Sequence, residues 1–420
     1  MKRALLIVLV LMVVAFGVYA GGTAEKETES VVLRALIRPD EGGNVQKYAD
    51  IFEAETGIRV EVDFVGWAEI HDKSISTLSA GGGGYDIIFV PSANVVEFTS
   101  VGDFEALNNM ISSGEKADWL QPVLDLYTRE GDLVAMPWYS GGAHMVYNKE
   151  ILDKAGVDPE KIVTWNDFKD ACKKIKAAEL LKYVYTPTAK YPGNFYYAWG
   201  SMVASSGESF FDAAGKPVFD KGSAVLDSLK LVSEGTKEGL FDPAAIAMDD
   251  YEALIQFGSG DTAFMMNSTW SATQAYRNAD LSKVTGKVGY MLIPGWKSEP
   301  RSGGFLYAGG LGILKSSRYK EEAKQFLTLL TSADAQKHHA IEGANLPTRV
   351  ALFEDKEIDS SWAGYKALTA QLSYGSFLPQ YSWFEEWRQA TSGVVQKTIA
   401  GNITPEKAFD LILENARKAQ

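Results

Sequence analysis

Three strand-like segments separated by two helix-like segments fill residues 31 to 90, and this alternation restricts the fold more than any other feature of the chain. Val31 to Ile37 (VVLRALI) is an almost unbroken apolar run of strand length. Val45, Tyr48, Ala49, Ile51 and Phe52 then recur at roughly helical spacing, and Gly57 stands where a helix cap belongs. Ile58, Val60, Val62 and Phe64 alternate with polar residues, the period of a half-buried strand. A second helix is predicted over about 68–80, followed by the glycine run 81–84 and a strand over 86–90. The order strand–helix–strand–helix–strand predicts parallel strands joined by right-handed crossovers, an α/β fold. In such sheets ligands gather beyond the carboxyl ends of the strands. That rule selects three loops: 38–44, Gly66-Trp67, and 91–94 with its Ser92 and Asn94. The first loop is glycine-rich and leads into a helix start, so its N–H groups are open to a ligand oxygen. An ordinary strand-to-helix turn accounts for the same residues.

At 420 residues the chain exceeds what one core usually carries, so two domains are expected. The α/β rhythm continues with strands predicted over 133–137 and 142–147 and a short helix over 149–155 closed by Gly156. Thr164 is a predicted N-cap with Asp167 three residues on. An amphipathic helix is predicted over 319–331 and a last helix over about 405–418. The sole cysteine, Cys172, falls in a helix-like run and reads as a small buried side chain.

The first residues bound the compartment. Lys2 and Arg3 precede an apolar run from Ala4 to Phe16, and Val18-Tyr19-Ala20 supplies small residues at a cleavage site. This pattern predicts a signal peptide over 1–20, a flexible linker over 21–30 and periplasmic export; an uncleaved anchor is the alternative. No cysteine follows to take a lipid. Loss of Lys2 and Arg3 would move the formal charge from −13 to −15, a sign that repels nucleic acid. No cofactor is expected. Hydrolysis finds no support: Glu385-Glu386 and Asp249-Asp250 are adjacent acids that do not make a facing catalytic pair. No G-x-S-x-G, H-E-x-x-H or phosphate-loop motif occurs. Of the four histidines His338 and His339 are adjacent and so poorly placed to share an ion from a helix, and the pair Tyr196-Tyr197 has no carboxylate or histidine cluster with it to make an iron site.

Six segments, in order, carry a resemblance. They are DIFEAETGIRV (50–60), the block 131–156 with YNKEILDKAG, TWNDF (164–168), FGSGDTAFMMNSTW (257–270), the return ending in Pro294-Gly295, and 323–349 with its G-x-x-x-P-x-R-like end. Together they are similar to the sugar-binding, maltose-binding-protein-like family of extracellular solute-binding proteins of ABC transporters. The resemblance implies a type II periplasmic-binding-protein fold, with two discontinuous α/β lobes joined by hinge crossings. Carried over, one lobe is 31–138 plus 292–342 and the other 139–291 plus 343–420. It implies a monomer that closes on a sugar and delivers it to ABC permease subunits.

The resemblance also places ligand residues: Trp270 as a stacking ring, with Asn267 three residues before it; Tyr139 after the first crossing; Gly304 and Phe305 in a loop; and Glu41 as a hydroxyl acceptor. Trp67, Asn94 and Asn345 are further loop candidates. Trp383 and Trp387 share a face if helical, with core packing the alternative for either. Two departures stand out. Gly141 and the Pro91-Ser92 pair occupy positions where some relatives have an Asp. This leaves the solute class open between a sugar, a polyol and a polyamine, the last favoured by aromatics with acids.

Overall fold

The computed structural model describes residues 31–420 except 41–42, 191–194, 298, 300–301 and 363. The expected leader and linker, and the candidate Glu41, lie outside these described residues.

The opening alternation folds as its periods dictate. Strand β1 (Val32–Ile37) leads to helix α1 (Asn44–Thr56), β2 (Arg59–Phe64), α2 (Trp67–Ser79) and β3 (Ile87–Pro91). β1 pairs in parallel with both β2 and β3. Gly57 ends α1 at φ 73°, and its N–H donates to the Glu53 carbonyl, a left-handed cap that any side chain would strain.

The middle of the chain departs from expectation. A two-residue hairpin, β4 (Thr128–Arg129) with β5 (Asp132–Leu133), precedes a single 13-residue strand, β6 (Met136–Asn148), where two separate strands are predicted. Gly141-Gly142 lies inside that strand and is not a turn. A β-carbon at Gly141 would stand 2.3 Å from Cζ of Tyr307, so the glycine marks a close approach. β6 changes partners at this point. From Met136 to Gly142 it pairs with β9 (Gly304–Ile313); from Ala143 onward it pairs with β7 (Phe264–Ser268), and its last four residues also pair with β8 (Val288–Met291). β9 lies between β6 and β3 and also holds β10 (Gly375–Phe377). The path through the eight-stranded sheet is β2-β1-β3-β9-β6-β7.

Apolar side chains collect on either side of this change of partners. The first core joins Leu36, Ile37, Ile88 and Phe89 to Leu311, Phe326 and Leu327. The last two come from the amphipathic helix α5 (Lys320–Leu330). The second core centres on Trp165, Phe168, Trp199, Phe264 and Trp387. A third cluster, with Val146, Leu254 and Trp362, adds to the second half. Ile293 and Phe305 pack in the second core, although they fall in the stretch 292–342 expected in the first lobe. Helix α3 (Trp165–Ala177) starts with a full capping box from Thr164 and Asp167, worth about 1 kcal/mol, which fixes where Trp165 enters that core. Among the described residues no helix is long and apolar enough to cross a membrane.

Candidate ligand site

β1 delivers Arg38 to the carboxyl end of the sheet, where it is only 5% exposed. Its guanidinium lies 5.0 Å from the ring of Trp67 and 5.0 Å from that of Tyr139. Its Nε donates to the Tyr139 hydroxyl at 2.9 Å, and Nη1 donates to the Pro39 carbonyl. The two rings have opposite environments. Tyr139 is 2% exposed, stacked on Phe89 and seated over Gly309, where a β-carbon would come within 2.2 Å of the ring. Trp67, at the first turn of α2, is 59% exposed and touches only the edge of Phe89 among aromatic neighbours. An indole with one face toward solvent and a guanidinium nearby is a fixed platform. The cation–π contact adds about 0.5–2 kcal/mol to holding it.

Further rings continue from Tyr139 across the strand crossing. Tyr307 meets Tyr139 edge-on at 6.5 Å, and Tyr197 meets Tyr307 at 5.8 Å and 88°. Tyr307 is the only partly exposed residue of β9. Tyr197 belongs to a π-helical turn (Tyr196–Gly200), an irregularity often found at functional sites. Burial pushes the Tyr197 phenol up to about 12, against the pull of Arg388 and of a hydrogen bond to Ser92. Burial also raises that of Tyr307, which bonds Thr269. Both phenols are therefore neutral hydrogen-bonding groups at any physiological pH.

Ser92 joins the two halves. Its Oγ accepts from the Ala308 N–H at 3.0 Å, its side chain bonds Tyr197, and its carbonyl accepts from Gln380 Nε2 at 3.1 Å. Ser140 is fixed in the crossing: its Oγ donates to the Pro347 carbonyl at 2.9 Å, and its backbone exchanges hydrogen bonds with Leu346.

Helix α4 (Thr269–Arg277) meets the line at its first residue. Thr269 Oγ1 accepts from the Gly142 N–H at 3.0 Å and bonds Nε2 of His144 at 2.9 Å. Trp270 follows, half-buried, and its indole N–H has no partner among the described residues. It lines a cavity of about 540 Å³ with Gln274, Arg277, Asn278, Ala279 and Glu342. Glu342 comes from the last turn of α6 (Ala333–Gly343), and Arg277 donates to the carbonyls of Ile341 and Glu342. A ring beside amides, a guanidinium and a carboxylate offers an apolar face together with donors and acceptors, the mixture that suits a hydroxyl-bearing molecule. No cluster of three or more metal-ligating side chains occurs among the described residues. The two most buried histidines are neutral: burial drives His144 down to about 3, and burial together with Arg38 and His338 does the same to His339.

The candidate residues thus separate into two groups. Trp67, Ser92 and Tyr139 meet at the ring line, and Trp270 lines a cavity of its own, one residue beyond Thr269, which bonds Tyr307. The rest are committed to the framework. Asn267 is fully buried, with Nδ2 donating to the Asp250 carbonyl and Oδ1 accepting from the Ser268 N–H. Asn345, 2% exposed, bonds the Gly343 carbonyl and His339. Phe305 packs on Tyr196 and Phe210, its N–H held by Ser201 Oγ, and the neighbouring Gly304 faces Ile293. Trp383 stacks on Tyr381 at 5.0 Å and covers Gly215 and Phe211. Asn94 bonds Glu97, which in turn holds His71. In each case a nearby internal partner takes the group that a solute would need. Three further residues join this candidate site: Arg38 lies in the first loop that the carboxyl-end rule selects without being singled out there, Tyr197 belongs to the pair weighed above for iron, and Tyr307 is not nominated from the sequence. No sequence signal identifies Tyr307, because Gly141 reads as part of a break and its close approach to a ring is visible only in the folded strand.

Comparison with known proteins agrees with this architecture. The profile described as bacterial extracellular solute-binding protein matches residues 38–337. The arabinooligosaccharide-binding protein of Bacillus subtilis (strain 168) is 23% identical over 369 residues, 85% of this chain and 83% of its own. Among solved structures, maltose-bound MalE3 of T. maritima superposes with a TM-score of 0.82 at 23% identity, covering 93% of this chain and all of its own. A solute-binding protein of Agrobacterium radiobacter K84 in complex with ribitol gives 0.79 at 22%, covering 93% and 99%. The chain is a member of the bacterial extracellular solute-binding protein family, the non-enzymatic binding component of ABC transporters.

Proposed function

We propose that the protein captures a sugar, as a mono- or oligosaccharide, between its two halves in the periplasm and hands it to ABC permease subunits. The observation that carries this reading is the line Trp67, Arg38, Tyr139, Tyr307, Tyr197, which runs across the strand crossing and ends in a widely exposed indole. Sugars present apolar ring faces with a rim of hydroxyls. A flat indole covers the first, and phenols, amides and a guanidinium serve the second. Stacking one sugar face buries on the order of 100 Å², worth roughly 2.5 kcal/mol at ~25 cal/mol per Å². Two such faces supply much of the ~8 kcal/mol of a micromolar complex. The solute would touch both halves only when they approach, so its binding would favour the closed form by differential affinity. The ligands of similar proteins, arabinooligosaccharide and maltose, point the same way. Ribitol and D-mannitol in other similar structures make a polyol the second reading. A polyamine is disfavoured by the guanidinium of Arg38 beside the exposed platform.

The test is a thermal-shift and tryptophan-fluorescence screen against neutral sugars, polyols and polyamines. A bound solute raises the melting temperature by mass action, about 2.7 kcal/mol at a hundredfold excess over Kd. Trp270→Ala is expected to weaken that solute at least tenfold, beyond the loss of stability that follows from its packing against the third cluster. Absence of any shift from sugars and polyols, or unchanged affinity in the variant, counts against the respective assignment.

A further inference from the structure

Gly141 and Tyr307 face each other where the two halves meet. With a β-carbon built on Gly141, Cζ of Tyr307 would be 2.3 Å away and the Tyr307 hydroxyl 2.5 Å away. The phenol therefore stands at the root of any side chain that position 141 could send out, and the two features exclude one another. The ring is also pinned in place. Tyr139 and Tyr197 meet it edge-on, and its hydroxyl bonds Thr269, the residue before Trp270. It remains partly open to solvent in a strand whose other residues are all buried.

We infer that Tyr307 is the specificity-determining residue of the cleft: its phenol replaces a side chain at position 141 and selects uncharged, hydroxyl-bearing solutes over cations. This rests on the solute-binding reading above. A hydroxyl has one proton to donate and two lone pairs, so Tyr307 keeps capacity beyond its bond to Thr269. Its ring supplies an apolar edge and sets how deep a solute can sit. The functional groups of the described residues in this line, the phenols of Tyr139, Tyr197 and Tyr307 with the hydroxyls of Ser92 and Thr269, are neutral; Arg38 is the charged member and it is positive. A cation meets no carboxylate among these groups and is opposed by the guanidinium of Arg38, which offsets any pull from the ring faces, whereas a polyol or sugar rim finds donors and acceptors for its hydroxyls.

The experiment measures Kd of the exported full-length protein and of its Tyr307→Phe and Tyr307→Ala variants for maltose, arabinotriose, ribitol and spermidine. The wild type is expected to bind one or more of the first three and not spermidine. Tyr307→Phe, which keeps the ring and the fold, is expected to weaken the best-bound probe about three- to tenfold, the effect of one lost hydrogen bond. Tyr307→Ala opens the floor and is expected to change the affinity ratio of the two best-bound probes at least fivefold. Variants that bind every probe within twofold of wild type, or lose all probes in equal proportion, overturn the inference while leaving solute binding intact. Spermidine as the best ligand overturns the class assignment. A wild type that binds none of the four removes the sugar and polyol readings and this inference with them. If Tyr307→Ala does not fold, Tyr307→Phe still decides by its hydroxyl loss and by whether the ratio moves.

Discussion

The two halves of the molecule use different side chains for the same task. The first core is largely aliphatic, with Leu33, Leu36, Ile37, Ile87, Ile88, Leu311 and Ile313 all fully buried on strands covered by helices. The second is built on rings: Trp165, Phe168, Tyr185, Phe195, Phe241 and Phe264 are buried in contact with one another or with near neighbours. Both cores nevertheless hold buried rings, so an aromatic residue is informative by its exposure and not by its presence. In the second, rings are packing material, which is why Phe305 and Trp383 serve the core although they look like sugar platforms. The first core also holds rings, among them Phe89, Trp119, Tyr127 and Trp138, but these are buried, whereas Trp67, at 59% exposure, stands largely outside it and is held by Phe89 and Arg38.

This contrast is open to direct attack. The largest effect is expected at Trp387, 1% exposed, whose indole donates to the Ile412 carbonyl. Trp387→Ala should cost about 3–5 kcal/mol by denaturant melting. A cost as small as that of an exposed residue, under about 0.5 kcal/mol, would mean that the ring core does not hold the second half.

Acid comes next. His144 and His339 both have folded values near 3, set first by burial. Between there and the unfolded value near 6.5 the unfolded chain binds protons that the folded chain refuses, so stability falls as pH drops through this window. At pH 5 each histidine should account for about 2 kcal/mol of loss relative to pH 7. His71, whose partial burial is outweighed by Asp72 and Glu97, shifts upward and acts in the opposite direction. The two buried rings differ: His144 bonds Thr269, whereas Nδ1 of His339 has no partner among the described residues. His339→Gln should flatten the melting temperature between pH 7 and 5. An unaltered slope would place the acid sensitivity in the second half.

Gly141→Ala should destabilise by about 1–3 kcal/mol through overpacking, and the cost should shrink when Tyr307→Ala is added. Additive losses would show that the two do not share one volume. The smallest effect in energy is expected at the exposed ring. Trp67→Ala should cost no more than about 1 kcal/mol of stability, the size of an exposed cation–π contact, and weaken the solute about tenfold, near 1.4 kcal/mol. Equal loss of stability and affinity would make Trp67 a packing residue after all.

Much of the first half is legible from local pattern. The strands and helices over 31–91 follow apolar period, the Gly57 cap and loop position, and the carboxyl-end rule already points to the loops that hold Trp67 and Ser92. The joining of two predicted strands into β6 is not legible locally, because a Gly-Gly pair reads as a break until its partner is known. The candidate site fares likewise. Trp67 and Tyr139 can be nominated from loops and resemblance. Arg38 lies in a selected loop, but its pairing could not be read, since it depends on a hydroxyl 101 residues away.

The amino-acid sequence by itself determined the class of elements, their order, the capping of α1 and α3 and the family membership, because each depends on residues adjacent in the chain or colinear along it. Tertiary structure alone decided that β9 enters between β3 and β6, which asparagines and rings are consumed by internal partners, and which ring stays open. The physical reason is that burial and hydrogen-bond satisfaction are properties of a side chain's neighbours in space. Identical residues at similar spacing become core or platform only when the long-range pairing of strands fixes those neighbours.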